Sequence, residues 1–335
     1  MSSARNGHAA AGLSFSRLRG AAPFHFLCLP GLVPDGPETF ERQLRMLRAF
    51  GSVVTVSYPD HAFDLDAIIA ALHDELERAL QEERKPVLVG LSVGGGIALE
   101  VIRRRLEAGK PLPLAGIVLI SPLTCTADLS PLLSRLMQPI IAESAKEGGR
   151  PDIAQERGRQ LFKSLVTKAT EQVEASHDIL RWLGPFGLLL PQGYAAWREK
   201  RIIERIQRTF ERVPPEGAVA RVLALTRFRG LAGLKGPLSE APTLILWGSK
   251  ERQTLDMDGP GTGRLCRPDL AYKVFPQVEI HWIYDRQGGE VPHASLLRHA
   301  PAFNGPWLRW LRRLARAHHA GVLRRLAAAA RVPAP

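Results

Sequence analysis

Residues 85–109 read KPVLVGLSVGGGIALEVIRRRLEAG, a stretch with one serine between glycines, an apolar run before it and a helical pattern after it. Its residues 87–89 form a short, wholly apolar run, which is typical of a strand buried on both faces of a parallel sheet. From Ile97 onward the apolar residues recur at helical spacing, with arginines between them. Ser92 therefore lies where a buried strand turns sharply into a helix.

The serine stands in a G-x-S-x-G pattern, with Gly90 before it and Gly94 after it. Glycines are expected there because a tight turn often needs a positive φ or the absence of a Cβ. The following helix directs its free N–H groups and the positive end of its dipole at the turn, and this favours developing negative charge. A serine exposed at that place can attack a carbonyl group, so the pattern predicts that Ser92 is a nucleophile.

A glycine-rich turn can also have a role other than holding a nucleophile. A dinucleotide-binding G-x-G-x-x-G does not fit because Ser92 occupies the second glycine position, and no phosphate-binding G-x-x-x-x-G-K-[ST] occurs in the chain. The other interpretation is an ordinary strand–helix turn that carries an incidental serine.

Composition indicates a globular protein with a large core. The chain has 335 residues, of which 45% are hydrophobic and 23% charged. This suits one large α/β domain, or such a domain with an insertion. The three cysteines, Cys28, Cys125 and Cys266, include no C-x-x-C, which argues against a disulfide framework and a structural zinc site. We expect no metal or organic cofactor.

The termini and the charge give expectations about location and partners. Residues 1–22 contain no apolar run typical of a signal peptide, so we expect a disordered leader, with a transit peptide as the alternative, and a cytoplasmic protein. The net charge is +12, and no acidic residue follows Glu290. This basic end, with a flexible tail over 321–335, would bind an anionic membrane or an acidic carrier protein weakly. A solvated arginine-rich helix face is the favoured reading, and nucleic-acid binding is not expected because no RNA-binding or zinc-finger motif is present.

Strand and helix signals alternate along most of the chain. Strands are predicted in FHFLCLP (24–30), GSVVTVSYP (51–59), the run before Ser92 and LAGIVLIS (114–121), and again in PTLILWG (242–248) and YKVFPQVEIHWIYD (272–285). This alternation predicts a mostly parallel sheet flanked by helices. Residues 126–240 show helical patterns only, so they are predicted to form a helical insertion between the two parts of an α/β core, 23–125 and 241–320. A long final helix is predicted from about Pro306.

These features resemble the α/β-hydrolase fold, with a helical lid inserted after the sixth strand of the full sheet. The resemblance implies that the two leading strands are missing or degenerate, because the predicted sheet begins at Phe24. It also implies that Ser92 is the nucleophile and that the backbone N–H groups of Leu32 and Val93 form the oxyanion hole. The LPG at 29–31 and the YPD at 58–60 are similar to a stretch of the thioesterase branch.

The same resemblance implies an acid just after the fifth predicted strand, PTLILWG (242–248), and a histidine near the end of the core. Glu251, three residues past Gly248, is the expected acid, and glutamate can replace the usual aspartate because its task is to orient the imidazole. His293 is the expected base, although many relatives have Gly-His where this chain has Gly289 followed by Glu290. The alternatives left open are Asp128, Asp256 and Asp258 for the acid and His281 and His299 for the base.

The function expected from these residues is hydrolysis of an ester or thioester with an apolar acyl group, through an acyl-enzyme on Ser92. The apolar preference rests on side chains of the insertion that are available to line a pocket, although they are more often simply lid core: Leu161, Phe162, Trp182, Phe186, Leu188, Leu189, Leu190 and Trp197. Acyl transfer on the same site, a non-catalytic scaffold that binds a ligand or partner, and a peripheral binder acting through the basic end remain as alternatives.

Overall fold

The computed structural model describes residues 12–146, 150–171 and 191–329. Within them one sheet has seven strands in the order β1-β3-β2-β4-β5-β6-β7, and all neighbours are parallel except β1 and β3. The strands are β1 Ser14–Leu18, β2 Phe24–Leu29, β3 Gly51–Ser57, β4 Lys85–Leu91, β5 Gly116–Ile120, β6 Thr243–Gly248 and β7 Val278–Ile283. The predicted mostly parallel sheet is confirmed.

Helices connect and cover the strands. They are α1 Gly36–Thr39, α2 Leu44–Arg48, α3 Leu65–Gln81, α4 Val93–Glu107, α5 Pro131–Ala145, α6 Pro151–Glu171, α7 Pro191–Arg212, α8 Pro215–Leu225, α9 Thr262–Cys266, α10 Pro268–Val274 and α11 Ala300–Ala329. No described helix is both long enough and apolar enough to cross a lipid bilayer. The predicted strand over 272–285 is only partly correct, because its first residues belong to α10.

The central strands are buried on both faces because helices cover both sides of the sheet. Every residue of β2 and β6 is buried, as their continuous apolar sequences predict. On one side the core includes residues of α3 and α4, and on the other Phe303, Trp307 and Leu311 of α11 pack against the strands. This double layer holds the carboxyl ends of β4, β5, β6 and β7 at one edge, where the connecting loops carry polar side chains.

The predicted start of the sheet is wrong. Strand β1 precedes Phe24 and pairs antiparallel with β3, from Ser14 opposite Ser57 to Leu18 opposite Val53. Phe15 is buried in the core, and this short alternating strand lies inside the segment expected to be a disordered leader. The strand was not predicted because its serines and arginine are also typical of a disordered leader. Residues 1–11 lie outside the described part of the chain.

The segment between β5 and β6 is helical, as predicted, with α5, α6, α7 and α8 and no strand among its described residues. The predicted boundary at 320 is not a structural one, because α11 continues to Ala329, and residues 330–335 lie outside the description. The basic segment from 321 therefore begins as helix. Arg309, Arg312 and Arg316 of α11 are exposed, and Arg313 pairs with Glu279.

Candidate active site

Ser92 lies on a strained turn between the end of β4 and the start of α4. Its backbone has φ 52° and ψ −115°, a conformation that L-residues rarely adopt. The turn fits because its glycines leave no room for a side chain: a Cβ on Gly94 would lie 2.2 Å from the carbonyl oxygen of Leu29. A Cβ on Gly90 would lie 2.6 Å from the carbonyl oxygen of Gly94. The predicted strand–serine–helix turn is therefore present, and the serine is half-buried.

The structure brings Ser92, His293 and Glu251 into one hydrogen-bonded line. The Nε2 atom of His293 lies 2.8 Å from the Oγ atom of Ser92, and its Nδ1 atom lies 2.5 Å from the Oε2 atom of Glu251. The serine follows β4, the glutamate follows β6 in a 3₁₀ turn, and the histidine follows β7. The carboxyl ends of three strands thus bring a serine, a histidine and a carboxylate together at hydrogen-bond distances.

Glu251 is held by contacts with both of its oxygens. Its side chain is fully buried, and its Oε1 atom accepts hydrogen bonds from the backbone N–H of Gly248 at 2.8 Å and from the hydroxyl of Ser121. The Ser121 hydroxyl also accepts from the backbone N–H of Ala294 at 3.3 Å, beside His293. Ser121 was not among the residues predicted from the sequence, where its only signal is a serine directly after a buried strand.

The other acids considered lie elsewhere. Asp128 is buried, but its oxygens accept from the hydroxyl of Thr124 at 2.5 Å and the N–H of Gly261 at 2.8 Å. It therefore joins the loop after β5 to the loop after β6. Asp256 accepts from the backbone N–H of Asp258 at 3.0 Å. The carboxylate of Asp258 pairs at 3.2 Å with Arg252, whose side chain is also exposed.

The two alternative histidines, and the acid Glu290 in the same loop as His293, also have other partners. The ring of His299 lies 2.9 Å from the hydroxyl of Ser295, and His281 lies 3.6 Å from the carboxylate of Glu279. Glu290 pairs with Lys250 at 2.9 Å. Burial lowers the pKa of His299, which keeps its ring neutral at physiological pH.

Leu32 and Val93 both line the cavity that holds Ser92. Val93 is the first residue of α4, where an N–H has no partner within the helix. The loop of Leu32 lies close to Ser92, since a Cβ on Gly31 would be 3.7 Å from the Cβ of Ser92. In the described chain neither N–H donates to a protein group, so both are available to an oxyanion.

The cavity around Ser92 has a volume of about 460 Å³ and a mostly aliphatic lining. The helical insertion forms one wall of it, through Leu133 and Met137 of α5, Leu161 and Leu165 of α6 and Leu225 of α8. Other apolar walls come from Leu129 and Leu255 in the loops of the core. Besides Ser92 and His293, the polar lining includes Thr39, Gln253, Thr254 and Arg298.

Of the side chains predicted to line a pocket, Leu161 does so. Phe162 packs instead into a cluster with α7 and α8, and Trp197 is partly exposed. Trp182, Phe186, Leu188, Leu189 and Leu190 lie outside the described residues. The sequence could not rank these positions, because an apolar residue on a helix of the insertion can face either the cavity or the core of the insertion.

A serine on a strand–helix turn, a histidine and a carboxylate in one line at the carboxyl edge of a mostly parallel sheet define the class of α/β hydrolases. A family model described as the alpha/beta hydrolase family matches residues 26–335, and the chain belongs to this family. Membership of the family supports hydrolase activity. No curated protein sequence matches the chain.

Solved structures share the fold at low sequence identity. An esterase from Thermogutta terrifontis is 18% identical, with a TM-score of 0.55, over 90% of this chain and 94% of that one. An esterase from Exiguobacterium antarcticum is 14% identical, with a TM-score of 0.54, over 90% and 98%. A bromoperoxidase from Bacillus anthracis is 18% identical, with a TM-score of 0.54, over 93% and 100%.

Proposed function

We propose that this protein is a serine hydrolase that cleaves an ester or thioester with an apolar acyl group, through an acyl-enzyme on Ser92. The observation that carries the proposal is the hydrogen-bonded line of Ser92, His293 and Glu251 at one end of an aliphatic cavity. Family membership supports hydrolysis in general, and the cavity supports the choice of acyl group.

In the proposed reaction the Oγ atom of Ser92 attacks the acyl carbon while Nε2 of His293 takes the hydroxyl proton. The carbonyl oxygen becomes an oxyanion between the N–H groups of Leu32 and Val93. When the tetrahedral intermediate collapses, the imidazolium gives its proton to the departing alcohol or thiol. Water then attacks the acyl-enzyme with His293 again as the base, and this releases the acid and restores the serine.

Glu251 has two tasks in this scheme. Its Oε2 atom accepts from Nδ1 of His293, which leaves Nε2 as the unprotonated nitrogen that faces Ser92. Its negative charge also stabilises the imidazolium that forms when the histidine takes the proton. Because the carboxylate is fully buried and held through its other oxygen, it needs no reorganisation during the reaction.

The aliphatic walls favour substrates whose acyl chains fill the cavity. Each methylene that leaves water for an apolar site contributes about 0.8 kcal/mol. The specificity constant kcat/KM should therefore rise roughly fourfold per added methylene until the chain is longer than the cavity, since 1.36 kcal/mol corresponds to a tenfold change in rate.

The experiment that tests the proposal combines covalent labelling with a substrate panel. Wild-type protein should form one adduct with a fluorophosphonate, located by mass spectrometry on Ser92, and Ser92→Ala should form none. The panel of straight-chain esters and thioesters should show rising kcat/KM with acyl length, with Ser92→Ala as the blank. An unlabelled wild type with no turnover of any chain length would contradict the proposal and favour a ligand-binding scaffold.

A further inference from the structure

Arg221 connects the helical insertion to the loop that carries Leu32. It lies on α8, is only 1% exposed, and donates through Nη1 to the carbonyl oxygen of Leu32 at 2.7 Å. Through Nη2 it donates to the carbonyl oxygen of Pro59 at 3.1 Å. One buried guanidinium therefore joins the loop after β2 to the loop after β3.

A second buried donor holds the same loop from the other side. The hydroxyl of Tyr58 donates to the carbonyl oxygen of Pro30 at 3.1 Å. Burial raises the pKa of Tyr58, so its hydroxyl keeps its proton at all physiological pH values. The peptide that carries the Leu32 N–H lies between the two peptides whose carbonyl oxygens are held by Tyr58 and Arg221. Fixing both neighbours restricts the rotation of the peptide between them, and so sets the direction of that N–H.

The insertion is docked tightly where these contacts form. Arg212, at the end of α7, pairs with Asp35 at 2.5 Å and with Asp60 at 2.8 Å. At the start of α8, a Cβ on Gly217 would lie 1.9 Å from the carbonyl oxygen of Asp60, so the helix backbone rests directly on that loop. A shift of α8 would therefore disturb the hydrogen bonds of Arg221 to Leu32 and Pro59.

We propose that Arg221 is a positioning residue, which together with Tyr58 holds the N–H of Leu32 in the direction an oxyanion requires and makes this donor depend on the docked insertion. The inference rests on the proposed function, because it gives Arg221 a role only if an oxyanion forms at Ser92. Arginine suits the position because its planar fork reaches two carbonyl oxygens at once, whereas a lysine presents a single point charge.

The test compares Arg221→Met, Arg221→Lys and Tyr58→Phe with a matched control. Arg103 is also a buried arginine that donates to two carbonyl oxygens, those of Gly230 at 2.5 Å and Ala232 at 3.1 Å, so Arg103→Met removes the same kind of group away from the loop. For each variant, kcat and KM for an ester of fixed chain length are measured together with the thermal midpoint.

Two inhibitors separate positioning from packing. The serine oxygen adds to the carbonyl carbon of an alkyl trifluoromethyl ketone, and the carbonyl oxygen becomes an oxyanion. The matching secondary alcohol fills the cavity but cannot form an oxyanion. Arg221→Met should lower kcat and the affinity for the ketone together, by about tenfold to a hundredfold, with KM and the affinity for the alcohol changed little. Arg221→Lys and Tyr58→Phe should show smaller losses of the same kind, and Arg103→Met should lower only the thermal midpoint.

The inference is overturned if Arg221→Met and Arg103→Met lose the same activity for the same loss of stability, or if ketone and alcohol affinities fall together. If Arg221→Met does not fold, Arg221→Lys and Tyr58→Phe decide by the same comparison of inhibitors. A wild type that binds the ketone no better than the alcohol would overturn the proposed function itself. A wild type that does distinguish them, with unaffected variants, overturns only the role of Arg221.

Discussion

The hydroxyl of Ser121 donates a hydrogen bond to Oε1 of Glu251, the carboxylate oxygen that does not face His293. A hydrogen bond to a charged group contributes about 1.5 to 3 kcal/mol. We expect Ser121→Ala to lower kcat roughly tenfold, which corresponds to about 1.4 kcal/mol in the activation barrier. The loss stays at the lower end of this range because the Gly248 N–H still holds the same oxygen. Steady-state kinetics with a short ester measure the loss.

Ser52→Ala is a suitable control for this change. Ser52 is near the start of β3, at the opposite end of the strand from the carboxyl edge, and its hydroxyl lies 3.0 Å from Nδ1 of His25. Its kcat should equal that of the wild type. If Ser121→Ala also leaves kcat unchanged, the Gly248 N–H alone is sufficient to hold the carboxylate of Glu251.

Variants of His293 and Glu251 test the proposed base and acid. His293→Ala should nearly match Ser92→Ala, which can lose on the order of a millionfold in turnover, since members of a triad act as a unit and their losses do not add. Glu251→Gln should lose less but still much, because the imidazole loses its counter-charge. Single-turnover measurements with an activated ester separate these losses from changes in substrate binding.

His299→Ala and Asp128→Asn are the controls for this pair. Both residues have partners other than the site, so His299→Ala should be mild and Asp128→Asn should mainly lower stability through the loops it joins. A loss of turnover in Asp128→Asn as large as that of Glu251→Gln, at unchanged stability, would move the acid to the other loop.

The sequence predicts the central part of the fold because that part follows from local patterns. The apolar run before Ser92, the two glycines and the helical spacing after them require a strand, a tight turn and a helix in that order. The positions of Glu251 and His293 follow from the loops after two later strands, which end at the same edge of the sheet. Several acids and histidines lie in those loops, and the resemblance to the α/β-hydrolase fold, not the order of the motifs alone, led to the choice of Glu251 and His293.

The edges of the fold and the walls of the cavity could not be predicted in the same way. Strand β1 is short and carries serines and Arg17, so its local pattern is that of a solvated segment, and only its pairing with β3 makes it a strand. The contacts of Arg221 and Ser121 join residues that are distant in sequence, and no spacing rule indicates such pairs. The lining of the cavity depends on how the helices of the insertion rotate against the core.

Glu75 should make the protein sensitive to acid. Burial alone would raise its pKa, but the His25 ring and the guanidinium groups of Arg78 and Arg17 lower the pKa to about 2. Because the folded-state pKa is depressed below the ordinary value of about 4.3, the stabilisation is fully present above that value and is lost as the pH falls toward 2. The loss is on the order of 3 kcal/mol. Slightly more than half of this loss should be reached by pH 3, and urea unfolding at pH 7 and pH 3 measures that part.

Glu75→Gln should be less stable than the wild type at pH 7, and this difference should shrink at pH 3 because the wild-type carboxyl begins to bind a proton. Glu77→Gln on the same helix is the control, since the Glu77 side chain is 42% exposed, far more than that of Glu75, and its pair with Arg105 is partly solvated. A difference between wild type and Glu75→Gln that does not change with pH would contradict the depressed pKa.

The last prediction uses two adjacent leucines of α5 to locate the acyl pocket. Leu133 lines the cavity, whereas Leu132 is 55% exposed to solvent. Leu133→Trp should fill part of the cavity. The kcat/KM for esters with long acyl chains should then fall by about fourfold for each methylene excluded, while an ester with a two-carbon acyl group keeps its rate. Leu132→Trp should leave the chain-length profile unchanged. The profile is measured with a series of straight-chain esters, and an equal decrease for all chain lengths in Leu133→Trp would mean that the acyl chain does not enter between α5 and the core.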